Sequence, residues 1–276
     1  MQIDESIVIR NTNDIKKRKE QTLKNWLFEF NFCDITIAAK LMKVSIKTAY
    51  RDLKRMKDLG LIKKQEIMNN SERISLYSLT NKGFKDWNLG KVGGENNAIR
   101  FRDIAGSRSQ YTLYHDLQCQ YAVIQTTLYR KKIEFEQYQF YSEKHINSVI
   151  YNNKRKQLKR VGDALVVFMS EKNNKVSMMI ETELTQKSEK RIFWIFNQHL
   201  EQIEKKLYQA VYFFFNKKSV FMKYKEVHSR TEWDIVDKVG SNYKNTANKR
   251  NVINNKLVKQ RFFFQMIEDQ LIKKEV

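Results

Sequence analysis

Residues 176–184 (VSMMIETEL) constrain this chain more than any other segment. An apolar run of that length reads as a strand, and alternate side chains on a strand share a face, so Glu181 and Glu183 point the same way. Asp163 heads another apolar run, residues 161–169, and adds a third acid. Hard divalent cations prefer such oxygen donors, and the trio outlines a site for Mg2+ or Mn2+. In isolation an Asp followed by Glu-x-Glu is a weak signal that equally describes a solvated strand face.

These acids sit in a strongly basic protein: 52 Lys and Arg against 31 Asp and Glu give a formal charge of +21 over 276 residues. Such a field favours a polyanion, nucleic acid being the usual one. No run of about 18 apolar residues spans a bilayer, so no membrane span is expected. The first residues lack the basic-then-apolar order of a secretory signal, which predicts a cytoplasmic location. Cys33 and Cys119 lie far apart and read as buried free thiols, not as a disulfide or zinc pair.

The length accommodates two modest domains, and the pattern changes along the chain accordingly. Residues 14–32 form a basic helical stretch with Ile15, Leu23, Trp26, Leu27 and Phe30 at helical spacing. A short helix over 36–42, a tight turn at 43–45 and a longer helix over 46–59 follow. Ser45 is placed to cap the longer helix, whose apolar face carries Ile46, Ala49, Tyr50, Leu53 and Met56. Lys47, Thr48, Arg51, Lys54 and Arg55 fall outside that face. Residues 61–67 and 74–79 then read as two strands around a polar turn.

This part of the chain resembles the winged helix-turn-helix superfamily. The resemblance is carried by Ala38-Ala39-Lys40-Leu41, by residues 47–53 (KTAYRDL), by Leu59-Gly60-Leu61-Ile62 and by residues 77–83 (YSLTNKG). It implies that the longer helix enters the major groove of double-stranded DNA, with the hairpin on the phosphate backbone. Lys47, Thr48 and Arg51 are then the groove candidates, Lys64 and Arg73 the backbone ones, and Ser45 and Arg55 further DNA-binding candidates on the same helix. A solvated helix face, or a platform for another protein, is the competing reading.

Gly90, Gly93 and Gly94 among polar residues mark a junction. Beyond it, residues 111–130 read as a helix, 133–141, 161–169 and 176–184 as strands, 188–207 as a helix and 208–215 as an apolar strand. A mixed sheet flanked by helices buries such elements. Phe193 and Trp194 read as core. Farther on, 221–239 suggests a helix, 240–249 a loop and 252–274 a basic helix. The expected organisation is therefore a DNA-binding domain over 1–92, a linker over 93–110, a second domain over 111–225 and a basic, partly helical extension over 226–276.

The second domain, an α/β core of helix, three strands, helix and strand, resembles the PD-(D/E)XK nuclease superfamily. With the preceding module it is similar to replication-relaxation proteins and plasmid relaxases of the MOBC kind. The residues concerned are Tyr114-His115-Asp116-Leu117, Ser142-Glu143, residues 160–166 (RVGDALV), and Glu181-Thr182-Glu183-Leu184 with Lys187. Two positions depart from the superfamily pattern: Gly162 stands where Pro precedes the Asp, and Glu183 where Lys is usual.

The resemblance implies a relaxase that binds an origin of transfer and nicks one strand with Mg2+ or Mn2+. Asp163, Glu181 and Glu183 would be metal ligands, and Lys187, His115 and Glu143 would complete the catalytic set. A lone His on an amphipathic helix is more usually structural. The basic run 154–160, with Lys154, Arg155, Lys156 and Arg160, would grip flanking phosphates or form a plain solvated loop. A relaxosome accessory protein or coupling protein is the expected protein partner. A non-catalytic replication or transcription regulator and a double-strand-cutting restriction or transposon endonuclease are the rival readings.

Overall fold

A computed structural model describes residues 12–69, 72–89, 108–128, 138–151, 160–169, 174–252 and 259–268. The chain is of mixed α and β character and divides into two compact units, residues 1–113 with 272–276 and residues 114–271. No described helix is long and apolar enough to cross a membrane.

The first unit runs α1 (Thr12–Phe30), α2 (Ile35–Met42), α3 (Ile46–Asp58), β1 (Ile62–Asn69), β2 (Glu72–Leu79) and α4 (Asn81–Leu89). Leu23, Trp26, Leu27 and Phe30 of α1 are buried. The Asp34 carboxylate caps α2 by accepting from Ile37 N at 2.8 Å, satisfying one of the orphan donors of its first turn. Lys43, in the left-handed region at φ 51°, ends α2. Ser45 then caps α3, accepting from Thr48 N at 3.3 Å. Ala49, Leu53 and Met56 are the buried face of α3, while Tyr50, expected among them, is 55% exposed. Position 50 is one residue, about 100° of helix rotation, away from Ala49. Ile15, expected in the α1 stripe, is also exposed.

The hairpin pairs Ile62 with Leu79 through Asn69 with Glu72. Thr80 fastens its base, its hydroxyl donating to Gly60 O at 2.6 Å and accepting from Gly83 N at 3.0 Å. A Cβ on Gly83 would lie 1.8 Å from Leu61 O, so only glycine permits this approach of α4 to the start of β1. Phe28 of α1 stacks on Trp87 of α4 at 4.0 Å between ring centroids. Trp87 in turn donates its indole N–H to Asn25 at 2.8 Å.

In the second unit the order is α5 (Gln110–Leu128), β3 (Tyr138–Ser142), α6 (Glu143–Ile150), β4 (Ala164–Met169), β5 (Lys175–Glu183), α7 (Glu189–Glu204), β6 (Ala210–Phe215), α8 (Lys218–Ser229), β7 (Glu232–Val239), β8 (Asn242–Asn251) and β9 (Phe262–Met266). The first residues of α5 belong to the first unit. Five strands form one sheet in the order β3-β4-β5-β6-β9. The β3, β4 and β5 neighbours are antiparallel, whereas β5, β6 and β9 run parallel. Leu165, Val167, Met179, Val211, Phe213, Phe215 and Phe262 project from one face into a core with Ile192, Ile195, Phe196, Leu200 and Ile203 of α7 and Tyr224 of α8. Glu181 and Glu183 follow Met179 on that same face, which is why their surroundings are apolar.

Three expectations for the end of the chain are corrected. The helix expected over 221–239 is α8 followed by β7, and the loop expected over 240–249 is β8, paired with β7 around Gly240 at φ 60°. Trp233 and Val236 of β7 are both buried across an irregularity in the pairing between Asp234 and Val236, a spacing of three that a short window cannot separate from a helix. The basic helix expected over 252–274 contains β9, whose Val211–Phe262 to Phe215–Met266 pairing makes it the edge strand of the main sheet. The described residues 259–268 are therefore joined to the main sheet. The helix α6 was not anticipated.

Candidate functional site

On the first unit, Lys47, Tyr50, Arg51 and Lys54 form an exposed stripe along α3. At its N-terminal end Ser45 Oγ and Thr48 Oγ1 are 3.1 Å apart, and an Arg51 N–H donates to Thr48 Oγ1 at 3.4 Å. Arg55 is not on this stripe. It turns back to pair with Glu20 of α1 and is part-exposed, so it braces two helices. Lys64 donates to Glu66 at 2.9 Å and Arg73 lies 3.4 Å from the same carboxylate, both exposed on the hairpin. Exposed pairs of this kind are weakly held and exchange readily for another anion.

The second unit brings the three expected acids to one end of adjacent strands. Asp163 N donates to Ile180 O at 2.9 Å, and the Asp163 carboxylate accepts from Thr182 N at 2.6 Å, which prolongs the β4–β5 ladder by a side chain. Glu181 and Glu183 are 2% exposed. The Asp163 side chain is 24% exposed, so the solvent side of the cluster lies there. His115 lies alongside, its Nε2 3.2 Å from Thr182 O and 3.9 Å from Asp163 Oδ2.

Arg160 is the residue whose placement differs most from expectation. Instead of facing phosphates, it donates from Nε to Glu181 Oε1 at 2.8 Å and from a terminal nitrogen to Oε2 at 2.5 Å, and it lies 3.9 Å from Glu183. Lys187, four residues after Glu183, reaches its Oε2 at 2.8 Å. On the other side, His199 of α7 stands 2.8 Å from Glu181 Oε1 and 2.6 Å from the Tyr208 hydroxyl. A carboxylate only accepts, so His199 Nε2 carries the proton and Nδ1 accepts from Tyr208.

The electrostatics follow from these partners. Burial alone would raise Glu181, but the Arg160 guanidinium and the His199 hydrogen bond prevail and lower it to about 2. Asp163 is pushed well above the usual carboxylate range by burial and by the Glu181 charge, against the Thr182 N–H. Glu183 is raised by burial despite Lys187. His199 and His115 are both lowered, chiefly by burial. The centre therefore holds one firmly ionised carboxylate and two that resist ionisation.

Three carboxylates have the donor chemistry of a hard cation, but with Arg160 in place they are not a cage for one. Glu181 has both oxygens engaged, and among the described residues no group of three or more His, Cys, Asp or Glu side chains is arranged to hold a metal ion. Glu143 is exposed in the first turn of α6. Lys154, Arg155 and Lys156 lie outside the described residues. Cys33 and Cys119 are free and buried. Trp194, expected in the core, is only half-buried and receives Arg160 at 5.8 Å and Lys238 at 5.4 Å from its ring centroid.

Sequence reasoning missed His199, Tyr208 and Tyr50. A histidine three and four residues from Phe196, Ile195 and Ile203, in the middle of an apolar helix stripe, was the available signal for the first. No family model matches this chain, and neither a curated protein nor a solved structure matches it.

Proposed function

We propose that the protein binds DNA through a winged helix in its first unit and nicks one strand at a plasmid transfer origin through a PD-(D/E)XK-like core in its second. The observation that carries this reading is the joining of Asp163 to β5 at Ile180 and Thr182, which sets the aspartate beside Glu181 and Glu183 at one sheet end. The order α5, β3, α6, β4, β5, α7, β6 around that point supports it, as does the exposed cationic stripe on α3. The reading gives Asp163 and Glu181, with Glu183 beside them, to a Mg2+ or Mn2+ ion, and it requires Arg160 to vacate Glu181. Lys187 holds Glu183 in place, and His115 stands on the solvent side near Asp163, where a phosphodiester would approach.

One observation favours a second reading. The Arg160–Glu181 pair neutralises the centre without any ion, which suits a DNA-binding regulator of replication or transcription that retains the fold alone. Supercoiled DNA carrying the cognate origin, incubated with Mg2+ or Mn2+, separates the possibilities. An open-circle product supports the nicking protein, a linear product an endonuclease, and unchanged DNA with a mobility shift the regulator.

A further inference from the structure

Tyr50 is an aromatic residue in the middle of a cationic stripe. On α3 it lies between Lys47 and Arg51, with Lys54 one turn on, so these side chains follow one another at i, i+3, i+4 and i+7 along one exposed face. The residue is 55% exposed. Among the described residues its ring stacks on no other ring and its hydroxyl makes no hydrogen bond. The buried face of α3 is complete without it in Ala49, Leu53 and Met56. Packing therefore gives no account of an aromatic at this position.

The neighbours limit what the ring meets. Lys and Arg side chains only donate hydrogen bonds, and phosphates or the acceptor edge of guanine satisfy them. From residue 47 to 54 the stripe spans about 10 Å of helix, or about three base-pair steps. The apolar group that a base pair displays in the major groove is the thymine methyl, and a ring among donors is the side chain that matches it. Tyr50 also lies within electrostatic reach of Lys64 on β1 and Tyr77 on β2, which joins the stripe to the hairpin.

We propose that Tyr50 is a base-reading residue whose ring packs against a thymine methyl in the major groove of duplex DNA, while Lys47, Arg51 and Lys54 hold the flanking phosphates and purine edges. The inference rests on the winged-helix reading of the first unit and adds a base preference to it. It requires no cleavage by the second unit. The contact is apolar, so the hydroxyl is dispensable.

Fluorescence anisotropy of the full-length protein with two labelled alternating duplexes, one of dA and dT and one of dA and dU, tests this. Uracil in place of thymine removes the methyl and leaves the hydrogen-bonding edges unchanged. The unaltered protein should bind the thymine duplex about fourfold more tightly, the effect of burying one methyl. Tyr50→Phe should keep this preference. Tyr50→Ala should lose it and, having removed no cation, should leave the salt slope unchanged. Its melt should match that of the unaltered protein, since alanine favours a helix and the ring it replaces is exposed.

Equal affinity of the unaltered protein for the two duplexes overturns the proposal without any variant. A preference that survives in Tyr50→Ala, or that Tyr50→Phe loses, overturns it as well. The two readings fail distinguishably. A salt slope that Lys47→Ala and Arg51→Ala lower, with no thymine preference, sinks the role of Tyr50 and leaves α3 on DNA. Binding of neither duplex sinks the winged-helix reading, and the role of Tyr50 with it.

Discussion

His199 and Glu181 share a 2.8 Å hydrogen bond where neither side chain meets solvent, and Tyr208 completes the line at 2.6 Å from the far imidazole nitrogen. Removing the imidazole leaves a buried phenol and one carboxylate oxygen short of a donor. His199→Ala should therefore cost about 2–4 kcal/mol, combining the cavity with the unmade bonds, whereas Tyr208→Phe should cost about 1 kcal/mol. Urea denaturation measures both. Equal costs would show that the imidazole acts as packing alone.

Asp163 and Glu181 should respond oppositely to amide replacement. Burial first, and the Glu181 charge second, push Asp163 above the usual carboxylate range, and an Asn there keeps an oxygen for Thr182 N, so Asp163→Asn should change stability by less than about 1 kcal/mol. Glu181 is the ionised half of a buried pair with Arg160, and breaking such a pair leaves a charge uncompensated. Glu181→Gln should cost about 3–5 kcal/mol. On the nicking reading both should abolish cleavage, and on the winged-helix reading DNA binding through α3 should persist. Thermal melts beside mobility shifts distinguish loss of chemistry from loss of fold.

The unequal legibility of these two acids shows where sequence reasoning stops. Strand period placed Glu181 and Glu183 on one face, and the apolar run around Asp163 placed it at a strand head, because both depend on local spacing alone. The partner of Glu181 depends on how a segment outside any element turns back on the sheet, and no periodicity encodes that. Arg160 consequently read as one more residue of a cationic run. The same limit applies to β9: Phe262, Phe263 and Phe264 are consecutive, so neither a helical nor a strand period stands out, and only pairing with β6 decides. The caps at Asp34 and Ser45 differ, since a cap is an interaction within three residues, and Ser45 is legible from its neighbours alone.

His228 should impose a pH dependence on stability. It lies against Trp233, Phe262 and Phe264, with Lys259 the charged group beside it. Burial first, and Lys259 second, lower it from 6.5 to about 4. Below pH 6.5 the unfolded chain takes up a proton that the folded protein refuses, so this contribution is intact above pH 6.5 and is lost as pH falls toward 4. The loss should reach about 2–3 kcal/mol, allowing for partial exposure. Denaturation of the protein and of His228→Phe at pH 7, 5.5 and 4 should show the unaltered protein losing stability relative to the variant as the pH falls. A pH-independent difference would refute the assignment.

DNA binding through α3 should carry a measurable salt signature. Lys47 and Arg51 are exposed on one stripe, and removing one cation that touches a phosphate should lower the slope of log affinity against log salt by about 1. Lys47→Ala and Arg51→Ala should therefore weaken binding, and Arg55→Ala, whose partner is Glu20, should lower stability instead. Fluorescence anisotropy with a DNA duplex over a salt series tests the slopes. Should Arg55→Ala alone flatten the slope, the groove face of α3 is misassigned.

Gly162 stands where the sheet leaves no room for a side chain. A Cβ at this position would lie 2.6 Å from Met179 Cγ and 2.9 Å from Ile180 O. The methionine side chain is flexible but fully buried, and the carbonyl is backbone that already accepts from Asp163 N at 2.9 Å. Any side chain, the proline ring of the usual pattern included, must therefore push β4 away from β5 at the point where the acids meet. Gly162→Ala should cost about 1–3 kcal/mol by overpacking. It should also loosen the Thr182 N to Asp163 bond, because the strand cannot retreat without carrying the aspartate along. Hydrogen exchange at Asp163 and Thr182 should accelerate more than at Val166 and Met178, deeper in the same pairing. Uniform acceleration along both strands would indicate global destabilisation and would remove Gly162 from the set of residues that position Asp163.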